Sequence, residues 1–148
     1  LDQGEYDAII LACAGLIRLG CEDRIKQPLD AQTSLPAVGQ GALGIENRKG
    51  DESVRELIKP LIDSKTMTEV LAERAMNATL EGSCSVAIAG YAKTMGEELL
   101  LKGLVGNVES GSILRAENTG STSQPKVLGE LVANQLLDIG AGKLLEGG

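Results

Sequence analysis

Residues 80–90 have the sequence LEGSCSVAIAG, and the pattern of side chains changes within them. Before Gly82 the apolar residues recur at helical spacing, whereas an alternation typical of a strand begins at Ser85. Gly82 suits a helix end, because glycine adopts the left-handed conformation without a steric penalty. Cys84 is therefore expected on a short loop between a helix and a strand. A lone cysteine is more often a buried apolar residue than a reactive one, so the local sequence leaves both interpretations open.

The residues on either side of this loop predict an α+β unit. Residues 66–80 form the helix, with Thr66 and Glu69 at the spacing of a capping box. Three strands follow at 85–92, 98–105 and 112–117, and the glycines between them favour an antiparallel meander. A last helix is expected at 127–139, so that helices cover one face of the sheet. The predicted buried stripe of the first helix consists of Met67, Val70, Leu71, Ala75 and Ala78.

The N-terminal residues predict a strand followed by a turn of small residues. Residues 5–11 contain a continuous apolar run, typical of a buried strand in a parallel sheet. Ligands of open α/β sheets bind beyond the carboxyl ends of the strands. Ala12 and Gly15 would allow a ligand close to the backbone there, and Arg18 follows one turn later. Arginine pairs bidentately with carboxylates, although a solvated surface arginine is the alternative.

Residues 35–46, LPAVGQGALGIE, contain three glycines within an otherwise strand-like segment. Glycines in a strand indicate bends or a close approach of the backbone to another group. Gln40 lies between Gly39 and Gly41, where its amide could reach a cleft; a simple bulged strand is the alternative. Residues 51–63 follow as an amphipathic helix with Asp51 as its N-cap.

Composition excludes several classes of function. The 148 residues carry a net charge of −7, which argues against a nucleic-acid partner, since phosphates require a basic surface. Histidine is absent, so no histidine triad or histidine metal site is expected. The cysteines Cys13, Cys21 and Cys84 lack a C-x-x-C motif, which predicts neither a metal cluster nor a disulfide framework and fits a reducing cytosol. No apolar run approaches the length of a membrane span.

Three motifs, in the same order, resemble the porphobilinogen deaminase (hydroxymethylbilane synthase) family. Residues 7–20, DAIILACAGLIRLG, are similar to the strand and substrate-binding turn of that family. Residues 35–46 resemble its V-G-Q-G-A segment, and residues 80–92, LEGSCSVAIAGYA, resemble its cofactor-attachment segment. The chain departs from the family pattern at Ser83, where glycine is usual, and at Ala87, where proline is frequent. Neither change removes the thiol.

The resemblance implies a transferase of tetrapyrrole (heme) biosynthesis, which joins four porphobilinogen units into hydroxymethylbilane and releases ammonia. It implies that Cys84 carries a dipyrromethane cofactor through a thioether. It also implies that Ala12, Gly15 and Gln40 contact this cofactor and that Arg18 binds substrate carboxylates. The family's catalytic aspartate belongs to an N-terminal half that this sequence lacks. We therefore assign no catalytic residue and no metal ligand here, and expect the chain to be inactive alone.

The predicted fold class is α/β plus α+β, in three parts. Residues 1–34 would end an α/β domain, residues 35–62 would contribute a crossing strand and helix to the N-terminal domain, and residues 63–148 would form the C-terminal α+β domain with a three-stranded antiparallel sheet. The expected partners are porphobilinogen and the N-terminal half of the same enzyme, in a cytoplasmic monomer without nucleic acid or membrane. A non-enzymatic ligand-binding or regulatory module is the alternative. An acyl-transfer thiol enzyme is disfavoured by the lack of histidine.

Overall fold

The computed structural model describes residues 1–80 and 87–146. Its strands are β1 (Ala87–Met95), β2 (Glu98–Gly106) and β3 (Ile113–Ser121), and they form one antiparallel sheet in the order β1-β2-β3. The helices are α1 (Cys13–Arg18), α2 (Glu52–Ile58), α3 (Ser64–Thr79), α4 (Pro125–Asp138) and α5 (Ala141–Glu146). Short 3-10 helices lie at Glu22–Arg24 and Lys59–Leu61. The antiparallel sheet with its helices confirms the α+β prediction for the C-terminal part of the chain.

One face of the sheet packs against α3 and α4. The register pairs Gly90 with Gly103 and Ala92 with Leu101, so these alternate residues point to the same face. Met76 of α3 is fully buried over the two glycines. A Cβ added at Gly103 would lie 2.5 Å from Met76 Sδ, and one at Gly90 would lie 2.7 Å from Met76 Cε. The two glycines therefore make room for the methionine in the centre of the core.

Helix α3 begins earlier than the sequence pattern predicts, and its buried face is rotated. Asp63 is the N-cap, and its side chain accepts a hydrogen bond of 2.7 Å from the Thr66 N–H. This bond lowers the pKa of Asp63. The capping box of Thr66 and Glu69 was a wrong prediction. The buried residues of α3 are Ala72, Glu73 and Met76, whereas Met67 of the predicted stripe is 46% exposed.

The first 62 residues form little regular structure. Residues 5–11 are not a strand, and Ile10 is 79% exposed. A strand needs a hydrogen-bonded neighbour, and in the described part of the chain the only sheet is β1-β2-β3. Residues 35–46 are not a strand either, although the Gly90 N–H donates to the Pro36 carbonyl at 3.1 Å. The helix predicted at 51–63 is confirmed only in its first part: α2 ends at Ile58, and a 3-10 helix follows at Lys59–Leu61. Asp51 is the N-cap as predicted, and its side chain accepts from the Val54 N–H.

Among the described residues, no helix combines the length and the apolar character needed to cross a membrane.

Candidate functional site

The free edge of β1 is covered by groups from two other parts of the chain. Three alternate backbone N–H groups point away from β2, those of Gly90, Ala92 and Thr94. The first donates to the Pro36 carbonyl at 3.1 Å. The second and third donate at 2.8 Å to carboxylate oxygens of Glu73 and Glu69, one helical turn apart on α3. Unpaired edges invite unwanted strand pairing, so these bonds both protect the sheet and attach residues 36–39 to it.

Glu73 is the central residue of this arrangement. It is a carboxylate with only 6% of its surface exposed. Its Oε1 accepts from the Ala92 N–H at 2.8 Å, and its Oε2 accepts from the Gly39 N–H at 2.7 Å. Burial raises the pKa of Glu73 and the nearby Glu69 charge adds to that, while the two backbone donors oppose the change. One side chain thus joins α3, β1 and the glycine-rich segment.

The titration of Glu73 has a defined effect on stability. Because its pKa in the folded chain is raised, the folded state holds the proton more tightly than the unfolded chain does. The contribution of this group to stability is therefore complete below the ordinary glutamate pKa. It is lost as the pH rises through the raised value.

The glycine-rich segment makes two consecutive turns beside Glu73. The Gln40 N–H donates to the Ala37 carbonyl at 3.0 Å, and the Ala42 N–H donates to the Gly39 carbonyl at 3.1 Å. Gly39 and Gly41 adopt φ values of +73° and +86°, which side chains with a Cβ rarely adopt. The glycines on both sides of Gln40 are thus required by the turns, and they leave Gln40 exposed.

A cleft of about 240 Å³ lies between this segment, α3 and β1. Its lining includes Gln40, Glu69, Glu73 and Tyr91. Pockets for small molecules usually measure about 300–1,000 Å³, so this cleft has room for only part of a larger ligand. The titratable side chains that line it are two glutamates and a tyrosine, so it suits hydrogen-bond donors better than carboxylates.

A larger cavity, of about 610 Å³, lies on the opposite face of the sheet, beside residues 31–35. Lys102 and Arg115 line it, and Lys102 forms an ion pair with Glu117 at 3.2 Å. None of the residues that the sequence predicts for a site lies in its lining. The smaller cleft is therefore the candidate site, because it contains Gln40.

The other predicted site residues lie on and beside α1, apart from the cleft lining. Ala12 is the N-cap residue of α1, while Gly15 and Arg18 belong to its two turns, and all three are exposed. The main contacts of α1 are with the 3-10 helix that follows it. The structure thus does not bring Arg18 and Gln40 into one lining. Cys84 lies outside the described residues, in the sequence between the end of α3 and the beginning of β1.

Sequence reasoning missed Glu73 altogether, and it gave Glu69 a role in a capping box instead of a place at the site. The available signal was their spacing of four residues, which places both glutamates on one face of the helix. Glu73 follows Ala72 and lies three residues before Met76, on the same buried face of the helix, so its carboxylate must find hydrogen-bond partners inside the fold. Those partners are backbone groups, which a sequence pattern does not reveal.

Two family models match this chain. Residues 1–56 match "Porphobilinogen deaminase, dipyromethane cofactor binding domain", and residues 67–138 match "Porphobilinogen deaminase, C-terminal domain". Ala12, Gly15, Arg18 and Gln40 fall within the first match, and Cys84 falls within the second.

Curated relatives agree with the family models. A protein from Ruthia magnifica subsp. Calyptogena magnifica, named porphobilinogen deaminase, is 56% identical over 146 residues, which is 99% of this chain and 48% of the relative. A protein of the same name from Vesicomyosocius okutanii subsp. Calyptogena okutanii (strain HA) is 53% identical over 146 residues, again 99% of this chain and 48% of the relative. The chain spans about half the length of these relatives. The fold, the motifs and these matches together show that the chain belongs to the porphobilinogen deaminase family.

Proposed function

We propose that this chain is the C-terminal part of an enzyme that joins four porphobilinogen units into hydroxymethylbilane, with release of ammonia, in tetrapyrrole biosynthesis. The observation that carries the proposal is the identity of 56% over 146 residues to a protein named porphobilinogen deaminase. Since the chain spans 48% of that relative, the activity belongs to the longer protein. We expect the 148 residues alone to be inactive on porphobilinogen.

We propose that Cys84 holds a dipyrromethane cofactor through a thioether. A thiol suits this task, because a thiolate attacks the electrophilic carbon left when a pyrrolic aminomethyl group loses ammonia. When bound, the cofactor supplies the primer on which the product grows. The description of the family model for residues 1–56 names this cofactor and supports the proposal.

The residues of the cleft fit one part of such a cofactor. Pyrrole N–H groups are donors, and the Gln40 amide oxygen is an acceptor at the edge of the cleft. The acetate and propionate groups of pyrroles do not suit a lining with Glu69 and Glu73, since like charges repel. We therefore propose that Gln40 contacts a ring, and that Ala12 and Gly15 allow the cofactor close to the backbone beside α1.

Arg18 is the proposed partner of the substrate carboxylates. It is exposed in the last turn of α1, where its side chain is accessible to a ligand. Its planar guanidinium group pairs with carboxylates through two parallel hydrogen bonds. An arginine can therefore orient a substrate as well as neutralise its charge.

We propose that the three parts of the chain belong to three domains of the longer protein. Residues 1–34 would complete a second domain, residues 35–62 would return to a first domain, and residues 63–148 would form the third. The exposed side chains of Ile9, Ile10 and Leu11 support this division, because a missing partner would cover them. The proposal includes a cytoplasmic, monomeric enzyme whose partners are porphobilinogen and its own N-terminal half.

The test of this function is intact mass and peptide mapping of the full-length protein, together with a porphobilinogen assay. We expect hydroxymethylbilane to form and a dipyrromethane adduct to be found on Cys84. Cys84→Ser should lose the adduct and the activity. The matched controls Cys13→Ser and Cys21→Ser should keep both, since these half-buried thiols lie outside the segment at residues 80–92 that resembles the attachment site. An adduct on another cysteine, or an active enzyme without one, would contradict the proposal.

A further inference from the structure

The attachment of the glycine-rich segment, which contains Gln40, to the C-terminal unit depends on a few identifiable hydrogen bonds. Two described hydrogen bonds join residues 36–39 to α3 and β1, from Gly39 N–H to Glu73 Oε2 and from Gly90 N–H to the Pro36 carbonyl. Only the first ends next to Gln40. It is 2.7 Å long and its acceptor is a buried carboxylate, and both features strengthen a hydrogen bond.

The neighbouring glutamate provides an internal comparison. Glu69 lies one turn before Glu73 on the same helix and lines the same cleft. Its described backbone bond goes to Thr94 N–H of β1, at 2.8 Å. Glu73 bonds to both β1 and the glycine-rich segment, through separate oxygens. The two carboxylates thus share an environment and differ in whether they hold the segment that contains Gln40.

We infer that Glu73 is a positioning residue: it bridges Ala92 of β1 and Gly39, and thereby fixes Gln40 at the edge of the cleft. A turn built on two glycines has many accessible conformations, so an external bond is needed to select one. Glu73 supplies that bond from a rigid helix. Its effect on the reaction passes through Gln40 and therefore rests on the proposed function.

The inference also explains why a costly group is kept inside the fold. Burial of a carboxylate is unfavourable, and the raised pKa of Glu73 reflects that cost. Of the other titratable groups that line the cleft, Glu69 is a like charge and Tyr91 is a phenol, so neither supplies a positive charge. In the described part of the chain Glu73 forms no ion pair. An apolar residue would serve packing better but could not accept a hydrogen bond, whereas the two oxygens of Glu73 accept one N–H group each.

Hydrogen exchange of the full-length protein tests the positioning step without any activity. Glu73→Gln keeps the shape but offers one acceptor oxygen, and Glu73→Asp keeps the charge but is one methylene shorter. We expect exchange of residues 37–42 to become at least about tenfold faster in both variants. Glu69→Gln should change the exchange rates of these residues by less than about twofold and should instead speed the exchange of the Thr94 N–H. Equal effects of the Glu73 and Glu69 variants on residues 37–42 would overturn the inference. So would loss of protection throughout α4, since Glu73 would then serve the core.

A double-mutant cycle tests the step through Gln40. We expect Glu73→Gln to lower porphobilinogen turnover about as much as Gln40→Ala, and the double variant to be no worse than either single variant. Additive losses would mean that Glu73 acts independently of Gln40, which would overturn the inference. If the wild-type protein makes no hydroxymethylbilane, the proposed function fails, and the exchange measurement still decides the positioning step.

Discussion

Residues 63–146 and residues 1–62 are both rich in aliphatic side chains, but the two regions differ in how far these side chains are buried. In the first region Met76, Leu99, Leu101, Val132 and Leu136 are completely buried between the sheet and two helices. In the second no residue is buried, and Ile10, Leu19 and Leu43 are each more than three-quarters exposed. Apolar side chains stabilise a fold only where neighbouring elements cover them. The comparison therefore separates a region with its own buried core from a region whose apolar side chains are left uncovered.

The largest effect is expected at the centre of the packed region. Met76→Ala should lower the free energy of unfolding by about 2–5 kcal/mol, because it empties a fully buried site. Met67→Ala is the matched control on the same helix, and its side chain is 46% exposed. We expect that variant to change stability by less than about 0.5 kcal/mol. Chemical denaturation of the 148-residue chain measures both. Similar losses in the two variants would mean that the core is not where we describe it.

A second substitution tests how closely α3 and α4 approach. A Cβ at Gly129 would lie 2.6 Å from Ala75 Cβ and 2.8 Å from Met76 N. Gly129→Ala should therefore cost about 1–3 kcal/mol through overpacking. Gly142→Ala is the control in a helix, where an added Cβ meets nothing within 4 Å. That variant should be neutral or slightly stabilising. A neutral Gly129→Ala would show that the helices can separate without cost.

The third prediction concerns function in the exposed region. Arg18→Leu in the full-length protein should lower turnover about tenfold to a hundredfold, because a lost charge-assisted hydrogen bond is worth about 1.5–3 kcal/mol. The fold should be unchanged, since Arg18 is exposed. Arg48→Leu, another exposed arginine of the same region, serves as the control. Near-normal turnover in Arg18→Leu would count against a role in substrate binding.

The smallest effect is expected where apolar residues lack cover. Ile10→Ser in the 148-residue chain should change the free energy of unfolding by less than about 0.5 kcal/mol, because the side chain is 79% exposed. The same substitution in the full-length protein should cost about 1.5–3 kcal/mol if the rest of the protein covers this segment. Thermal or denaturant unfolding of both proteins checks the difference. An equally small effect in each would contradict the proposed domain division.

The C-terminal elements could be predicted because their patterns are local. Alternation in β1 and glycines in the turns were enough to indicate the meander, and the boundaries moved by only a few residues. The start of α3 was missed because Asp63 competes with Thr66 as the cap, and either residue type caps helices well. The buried face of α3 was predicted wrongly because Glu73 faces the core, whereas charged side chains usually face the solvent.

The conformation of residues 5–11 could not be predicted correctly from these residues alone. The apolar run at 5–11 is a valid strand pattern, but a strand also needs neighbours that lie elsewhere in sequence. For the same reason, only a part of the candidate site could be predicted. Gln40 was identified by its flanking glycines. The attachment of the neighbouring Gly39 was not, because its partner Glu73 lies 34 positions later and bonds in turn to Ala92, a further 19 positions along the chain.

The sequence by itself determined the family, the order of the elements from α3 to α4, and the placement of Gln40 between two glycines, while α5 was not predicted. These features depend on local patterns and motifs, in which each residue type acts on its immediate neighbours. Only the tertiary structure decided that Glu69 and Glu73 cover the edge of β1 and that Glu73 also holds Gly39. The physical reason is that a buried carboxylate must be paired, and its partners are backbone N–H groups that every residue except proline carries.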